Sequence, residues 1–199
     1  MEKEAAINKF DLLIIGGSAG SLEVVLEILP LIREDIDYAI ILVMHRRSGD
    51  SLLTGLLSDK TILTVKEAEE KELIQPGVVY IAPADYHLLV EQDRTFSLDF
   101  SEKIHYSRPA IDASFETAAE AFNSSLVGIL LSGANADGAE GLLQIRQAGG
   151  LTIVQDPAEA VVSYMPQQAL DNQAADKILK TRQIVELLNA LNRSITPIS

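Results

Sequence analysis

One serine lies in a segment suited to nucleophilic chemistry, Gly16-Gly17-Ser18-Ala19-Gly20, which has the pattern G-x-S-x-G. It follows an apolar run that ends at Ile15 and precedes a helical pattern that begins at Leu22. In such a strand-turn-helix, small residues let the backbone turn sharply and expose the hydroxyl, while free amides of the new helix face the same space. The pattern favours a nucleophile, with an anion-binding loop and a plain tight turn as alternatives.

The same glycines match neither common phosphate-binding loop. The dinucleotide pattern G-x-G-x-x-G needs glycines at i, i+2 and i+5, which Gly16, Gly17 and Gly20 do not satisfy. A Walker-type loop needs a Lys-Ser or Lys-Thr pair after the glycines, and the sequence has none there. Of three candidate functions, a nucleotide-binding domain is therefore less favoured than a hydrolase and less favoured than a binding module that catalyses no reaction.

A histidine and an aspartate also lie just beyond predicted strands. His45 follows the apolar residues 38–44, and Asp137 lies in the loop after the predicted strand 126–132. Each has a structural alternative, which is packing for the histidine and an N-terminal cap of the following helix for the aspartate. Loops at the carboxyl ends of parallel strands meet at one edge, so Ser18 is expected beside both, as Ser-His-Asp hydrolysis requires.

Metal and thiol chemistry find no support in the composition. The chain has no cysteine, and its three histidines lack the His-x-x-x-His spacing of a metal site. His87 and His105 are interpreted as surface or packing residues. We expect neither a metal nor a cofactor.

Short aliphatic runs alternate with helical patterns along the chain, which is typical of parallel strands joined by crossover helices. The predicted strands are 12–15, 38–44, 62–65, 78–82, 126–132 and 151–155. Apolar residues recur at helical spacing within 22–29, 111–122, 142–145 and 184–191. These elements predict an α/β fold.

The central segment departs from this alternation. A turn at Gln75-Pro76-Gly77 is followed by alternating residues, 78–100, which predict an antiparallel hairpin inserted in the fold. No linker rich in Gly, Ser or Pro divides the chain. We therefore expect a flexible N-terminal segment, 1–9, and one catalytic domain, 10–199.

Charge and hydropathy exclude several classes of partner. Twenty-nine acidic and sixteen basic residues give a net charge of -13, which would repel a nucleic-acid backbone. The longest apolar run has seven residues, against the ~20 that a membrane span needs. The first four residues also lack the basic start of a secretory signal. We expect a cytoplasmic protein that neither binds nucleic acid nor inserts in a membrane.

Collinear blocks of the sequence resemble the catalytic domain of the CheB-type chemotaxis receptor methylesterases. The blocks are 14–20, 43–45, 77–83, 108–112, 130–133, 155–157 and 164–166. The resemblance implies a doubly wound, mainly parallel α/β sheet with helices on both faces. It also implies hydrolysis of glutamate γ-methyl esters on methyl-accepting chemotaxis receptors, in their cytoplasmic helical region, with release of methanol. Some members of the family also deamidate glutamine.

The resemblance also implies a role for each site residue. Ser18 matches the nucleophile, His45 the general base and Asp137 the acid that orients the histidine. The matching oxyanion and substrate-binding positions are Ala19, Gly20, Ala134 and Met165. The backbone amide of Ala134 corresponds to an oxyanion donor, and the start of the helix after Ser18 is a candidate for the second.

The chain departs from the family at several positions. Ala19 stands where threonine is usual, Ala134 and Asn135 replace methionine and glycine, and 46–49 replace a Met-Pro pair after the histidine. Arg46 and Arg47 are read either as solvated charges or as contacts to an acidic partner.

The family's usual receiver domain does not precede the first strand. The chain is then always active, is controlled by a separate receiver domain or another regulator, or is part of something longer. A catalytically weak or inactive binding module in a signalling complex is the alternative function.

Overall fold

The computed structural model describes residues 9–45 and 52–192. The strands are β1 Leu12–Gly17, β2 Ala39–Met44, β3 Thr64–Glu67, β4 Val78–Ile81, β5 His87–Val90, β6 Phe96–Asp99, β7 Leu126–Leu130, β8 Leu151–Gln155 and β9 Lys177–Leu179. The α-helices are α1 Ser21–Ile28, α2 Leu52–Ser58, α3 Ile111–Phe122, α4 Ala139–Gln147, α5 Tyr164–Asp171 and α6 Thr181–Ala190. Apart from Lys9, the predicted flexible segment 1–9 lies outside the described residues.

Seven strands form one parallel sheet in the order β3-β4-β2-β1-β7-β8-β9. The chain starts at the centre with β1, adds β2, the edge strand β3 and then β4 between them on one side, and returns to the other side of β1 to build the second half from β7. In doubly wound sheets, ligands bind where the strand order reverses, outside the carboxyl ends of the strands. The topology therefore directs attention to the loops that follow β1, β2 and β7.

Helices cover both faces of this sheet. Alternate residues of β1 point to opposite sides, so Leu12 and Ile14 join one apolar cluster, while Leu13 and Ile15 join the other. Residues of α3, α4 and α5 pack in the first cluster, and residues of α1, α2 and α6 in the second. Burial on both faces explains the continuous apolar runs of the central strands. The predicted doubly wound fold is confirmed.

The predicted hairpin is also confirmed, but it forms a separate two-stranded sheet. Strands β5 and β6 pair antiparallel, from His87 opposite Asp99 to Val90 opposite Phe96. The hairpin is attached to α3: the Ser114 hydroxyl donates to the Leu88 carbonyl oxygen at 2.7 Å. It therefore positions the start of α3, which borders the site described below.

Some elements differ from the prediction. The strand predicted at 62–65 begins at Thr64, because the Thr61 hydroxyl accepts a hydrogen bond from the Leu63 amide at 3.2 Å and bends the chain there. Helix α5 was not predicted: its buried residues are only Met165, Pro166 and Ala169, a weak helical pattern. Strand β9 and helix α2 were also missed. Within the described ranges, no helix has the length and apolar character to cross a bilayer.

Candidate active site

The first two predicted site residues lie side by side at the carboxyl edge of the sheet. Gly17 of β1 is paired in register with Met44 of β2, so Ser18 and His45 directly follow the paired ends of two adjacent strands. The His45 amide donates to the Gly17 carbonyl oxygen at 3.1 Å. The Ser18 amide donates to the carbonyl oxygen of Ser132, just past β7, at 2.9 Å. The edge predicted from strand positions thus carries both residues.

The turn that carries Ser18 is fixed by its backbone. Gly20 precedes α1 with φ +80°, a left-handed conformation that favours glycine. A Cβ atom at this position would lie 2.5 Å from Cβ of Val161 and 2.9 Å from Oγ of Ser132. The buried Ser132 hydroxyl also donates to the Ala19 carbonyl oxygen at 2.6 Å. These contacts hold the sharp turn that leaves Ser18 half-buried and Ala19 exposed.

His45 and Asp137 form a direct pair, with Nε2 and Oδ2 2.6 Å apart. The aspartate side chain is fully buried, and the histidine side chain is 11% exposed. Oδ2 of Asp137 also accepts from the amide of Ile111 at 2.8 Å, and Oδ1 from the amide of Asp112 at 2.9 Å. The alternative interpretation, in which Asp137 caps the helix that follows it, is therefore wrong. The carboxylate caps α3, and the residue that precedes α4 is Gly138, with φ +94°.

The charge of Asp137 determines which nitrogen of His45 is free to act as a base. Burial raises the pKa of Asp137, but hydrogen bonds from His45 and from two backbone amides outweigh burial and hold the pKa below its ordinary value. An ionised carboxylate only accepts hydrogen bonds, so Nε2 of His45 carries a proton. In the neutral imidazole, Nδ1 is then the atom with a free lone pair.

A second aspartate holds the loop of the first. Oδ1 of Asp112, on α3, accepts from the amides of Gly138 at 2.9 Å and Gly141 at 2.7 Å, at the start of α4. Asp137 thus caps α3, in which Asp112 lies, and Asp112 caps α4, which follows Asp137. Burial and the nearby charge of Asp137 raise the pKa of Asp112 to about 6, although hydrogen bonds from both glycines and the charge of His105 oppose the rise.

One group of side chains in the described part of the chain could hold a metal ion. His105, Asp112 and Asp137 offer ligand atoms that lie within 4.8 Å of one another. Both carboxylates already accept hydrogen bonds from backbone amides, and Asp137 accepts from His45 as well. Helix capping and the histidine pair account for this cluster without an ion.

The loop after β7 lies against the turn that carries Ser18, since Ser132 accepts from the Ser18 amide and donates to the Ala19 carbonyl oxygen. Ala134 is exposed, and neither its amide nor that of Ala19 has a hydrogen-bond acceptor among the described residues. Behind the loop, Met165 is fully buried, and its amide donates to the Gly133 carbonyl oxygen at 2.9 Å. A Cβ atom on Gly133 would lie 2.5 Å from Cε of Met165. Met165 thus supports the loop, whereas Ala19 and Ala134 are both exposed.

Sequence reasoning missed a hydroxyl group that contacts the histidine. Oγ of Ser107 lies 3.2 Å from Nδ1 of His45. Within the described ranges, no hydrogen bond joins the Ser18 hydroxyl to this ring. Nothing in the spacing around Ser107 indicates the contact. Asp112 and Ser132, also missed as site residues, do lie in blocks that carry the family resemblance, which was the available signal.

The other two histidines lie where a surface or packing role places them. His87 is buried, with Nε2 2.9 Å from the Glu102 carbonyl oxygen, and its Nδ1 accepts from the Ala110 amide at 3.1 Å. His105 is about half exposed. Arg46 and Arg47 lie outside the described residues.

Comparison with known proteins gives consistent results. The family model described as CheB methylesterase matches residues 13–188. A protein of Leptospira interrogans, provisionally named as a protein-glutamate methylesterase/protein-glutamine glutaminase, is 40% identical over 186 residues, which cover 93% of this chain and 96% of that protein. The protein-glutamate methylesterase FrzG of Myxococcus xanthus is 37% identical over 178 residues, which cover 88% of this chain and 53% of FrzG.

The fold agrees with these matches. The crystal structure of the Thermotoga maritima CheB methylesterase catalytic domain superposes with a TM-score of 0.87 at 34% identity, covering 92% of this chain and 99% of that domain. The chain spans nearly the whole of the Leptospira protein and about half the length of FrzG. The matched region includes the sheet edge with Ser18, His45 and Asp137. This chain belongs to the CheB methylesterase family of protein-glutamate methylesterases.

Proposed function

We propose that this protein is a serine esterase that removes γ-methyl esters from glutamate residues of methyl-accepting chemotaxis receptors and also deamidates glutamine at such positions. The observation that carries the proposal is the His45–Asp137 pair, at 2.6 Å, beside a serine that directly follows the neighbouring strand, β1. A base oriented by a buried carboxylate next to a serine at a strand-to-helix turn is the arrangement that acyl transfer uses.

In the proposed reaction, Ser18 Oγ attacks the ester carbonyl carbon and its proton passes to Nδ1 of His45. Asp137 keeps the proton on Nε2 and stabilises the imidazolium that forms. Collapse of the tetrahedral intermediate breaks the bond to the methoxy oxygen, which takes the proton from Nδ1 and leaves as methanol. Water, activated by the same nitrogen, then hydrolyses the acyl-serine to glutamate. With glutamine as substrate, the leaving group is ammonia.

The developing oxyanion needs hydrogen-bond donors that are free before the reaction. The amides of Ala134 and Ala19 are the proposed donors. Their support is that both lie at the open edge beside Ser18 and have no acceptor among the described residues. Gly20, in its left-handed conformation, allows the sharp turn in which Ala19 lies. Met165 contributes by holding the Ala134 loop in place.

The direct test is Ser18→Ala, which we expect to reduce methanol release from a methylated receptor fragment by on the order of 10⁶. Ser58→Ala, at an exposed position on α2, is the matched control and should retain full activity. Equal rates for Ser18→Ala and the parent protein would refute the proposed nucleophile. A serine-directed phosphonate should label Ser18 covalently. A folded protein that remains unlabelled would instead support the binding module without turnover.

The proposed substrate is the cytoplasmic helical region of the receptor, so we propose a cytoplasmic location for the protein. We further propose that a separate receiver domain or another regulator controls its activity. Parallel assays on a receptor fragment with glutamate methyl ester or glutamine at the same site measure the preference between ester and amide. Release of neither methanol nor ammonia from these fragments would exclude receptors as substrates.

A further inference from the structure

A tight turn lies against the histidine on the side away from Asp137. The Ser107 amide donates to the Ile104 carbonyl oxygen at 2.8 Å, and the Ile104 amide donates to the Ser107 carbonyl oxygen at 3.2 Å. The two residues between them, His105 and Tyr106, have φ of +49° and +64°. These values are those of a type I′ turn, which usually contains asparagine and glycine. Larger side chains in this conformation cost about 1–2 kcal/mol each.

This turn contacts both His45 and Asp112. Its last residue, Ser107, places Oγ 3.2 Å from Nδ1 of His45. Its second residue, His105, places Nε2 3.3 Å from Oδ2 of Asp112, the aspartate that caps the loop of Asp137. The strained conformation therefore contacts the base itself through Ser107, and through His105 it contacts the aspartate that supports the Asp137 loop.

The direction of the Ser107 hydrogen bond follows from the protonation of the ring. Nε2 of His45 donates to the ionised Asp137, so Nδ1 of the neutral ring is an acceptor. The Ser107 hydroxyl must then donate to it. A bond to Nε2 alone leaves the imidazole plane able to swing about that contact, whereas a second bond at Nδ1 fixes the plane.

We propose that Ser107 is a positioning residue of the esterase: its hydroxyl holds the reactive nitrogen of His45 at the mouth of the site until Ser18 engages it. This role rests on the proposed function, because it concerns the nitrogen that accepts the Ser18 proton. We assign the nucleophile to Ser18 and not to Ser107, because the amides of Ala19 and Ala134, which have no acceptor among the described residues, belong to the loops around Ser18.

The kinetic test compares Ser107→Ala with Ser107→Thr, which keeps the hydroxyl. We expect the alanine variant to lower kcat for methanol release about tenfold with KM nearly unchanged, and the threonine variant to restore most of the rate. The matched control is Ser101→Ala, in the same connecting segment, whose hydroxyl donates to Asp99 and does not contact His45. A threonine variant as slow as the alanine variant, or phosphonate label found on Ser107, would overturn the proposal.

A second measurement does not depend on turnover. In the inactive Ser18→Ala background, ¹⁵N NMR of the labelled histidines reports the hydrogen bonding of Nδ1 in His45. Ser107→Ala should move this resonance toward that of a free unprotonated nitrogen, whereas Ser101→Ala should leave it in place. An unchanged resonance in the Ser107→Ala protein would overturn the proposal even if esterase activity is confirmed. A shifted resonance supports the contact even if the parent protein releases no methanol.

Discussion

The two nitrogens of His45 face two different kinds of structure. Nε2 meets a fully buried carboxylate that accepts backbone amides at the start of α3 and is tied to α4 by reciprocal capping. Nδ1 meets a serine hydroxyl at 3.2 Å, in a turn in which Tyr106 is 97% exposed. The Nε2 side, where Asp137 fixes the position of the ring proton, is thus buried and held by many hydrogen bonds. The Nδ1 side, where the hydrogen-bond partner changes during the reaction, is open and held by few.

The largest expected effect comes from changing the buried side. Asp137→Asn removes the negative charge that keeps the ring proton on Nε2 of His45 and that stabilises the imidazolium formed when Nδ1 accepts the Ser18 proton. We expect kcat to fall by on the order of 10⁴, measured as methanol release. Asp171→Asn, at an exposed position of α5, should retain the parent rate. A loss below tenfold in Asp137→Asn would mean that the buried side does not control the base.

The Asp112→Asn substitution tests whether burial of the ionised Asp112 carboxylate lowers the free energy of unfolding. Its pKa is raised to about 6, mainly by burial, so the folded state favours the protonated acid. The stabilisation is complete below the unfolded pKa, ~3.9, and is lost as pH rises through about 6. Urea unfolding should therefore show the free energy of unfolding of the parent falling by about 2 kcal/mol between pH 4 and pH 7, relative to that of Asp112→Asn. The free energy of unfolding of the Asp59→Asn variant, changed at an exposed position, should depend on pH in the same way as that of the parent. Parallel curves for Asp112→Asn as well would contradict the assignment.

The Gly20→Ala substitution tests whether the backbone of the Ser18 turn is constrained. Alanine there would occupy a left-handed conformation and approach Val161 and Ser132 within 3 Å, so we expect the free energy of unfolding to fall by about 2 kcal/mol. Gly55→Ala is the contrasting control, because a Cβ on that exposed helical glycine meets nothing within 4 Å. The control should gain about 0.5–1 kcal/mol. Equal changes in thermal denaturation for the two variants would show that the turn is not constrained.

The Tyr106→Gly substitution has the smallest expected effect, and it acts on the stability of the protein. Glycine tolerates its φ of +64°, so Tyr106→Gly should stabilise the protein by about 0.5 kcal/mol after the entropy of the unfolded chain is counted. Tyr164→Gly, at an exposed position at the start of α5, should instead destabilise the protein. Differential scanning calorimetry of the two variants checks the difference in sign. A lower Tm for Tyr106→Gly would show that the tyrosine contributes a contact worth more than the strain.

The sequence was sufficient for the positions of Ser18, His45 and Asp137, because each follows an apolar run of strand length and strand ends share one edge of a parallel sheet. It was not sufficient for α5 or β9. The first carries few buried apolar residues, and the second has three residues, two of them exposed. Weak local patterns of this kind become helix or strand only when the rest of the fold packs against them.

Local apolar patterning determined the architecture and the three chemical groups at the sheet edge, because strand and helix periods are visible along the chain. Only the tertiary structure decided how those groups are oriented. Ser107 lies 62 residues from His45, and Asp112 lies 25 residues from Asp137. No local pattern encodes which helix a carboxylate caps or which ring nitrogen a hydroxyl meets, since these contacts exist only after α3 and α4 have packed against the sheet.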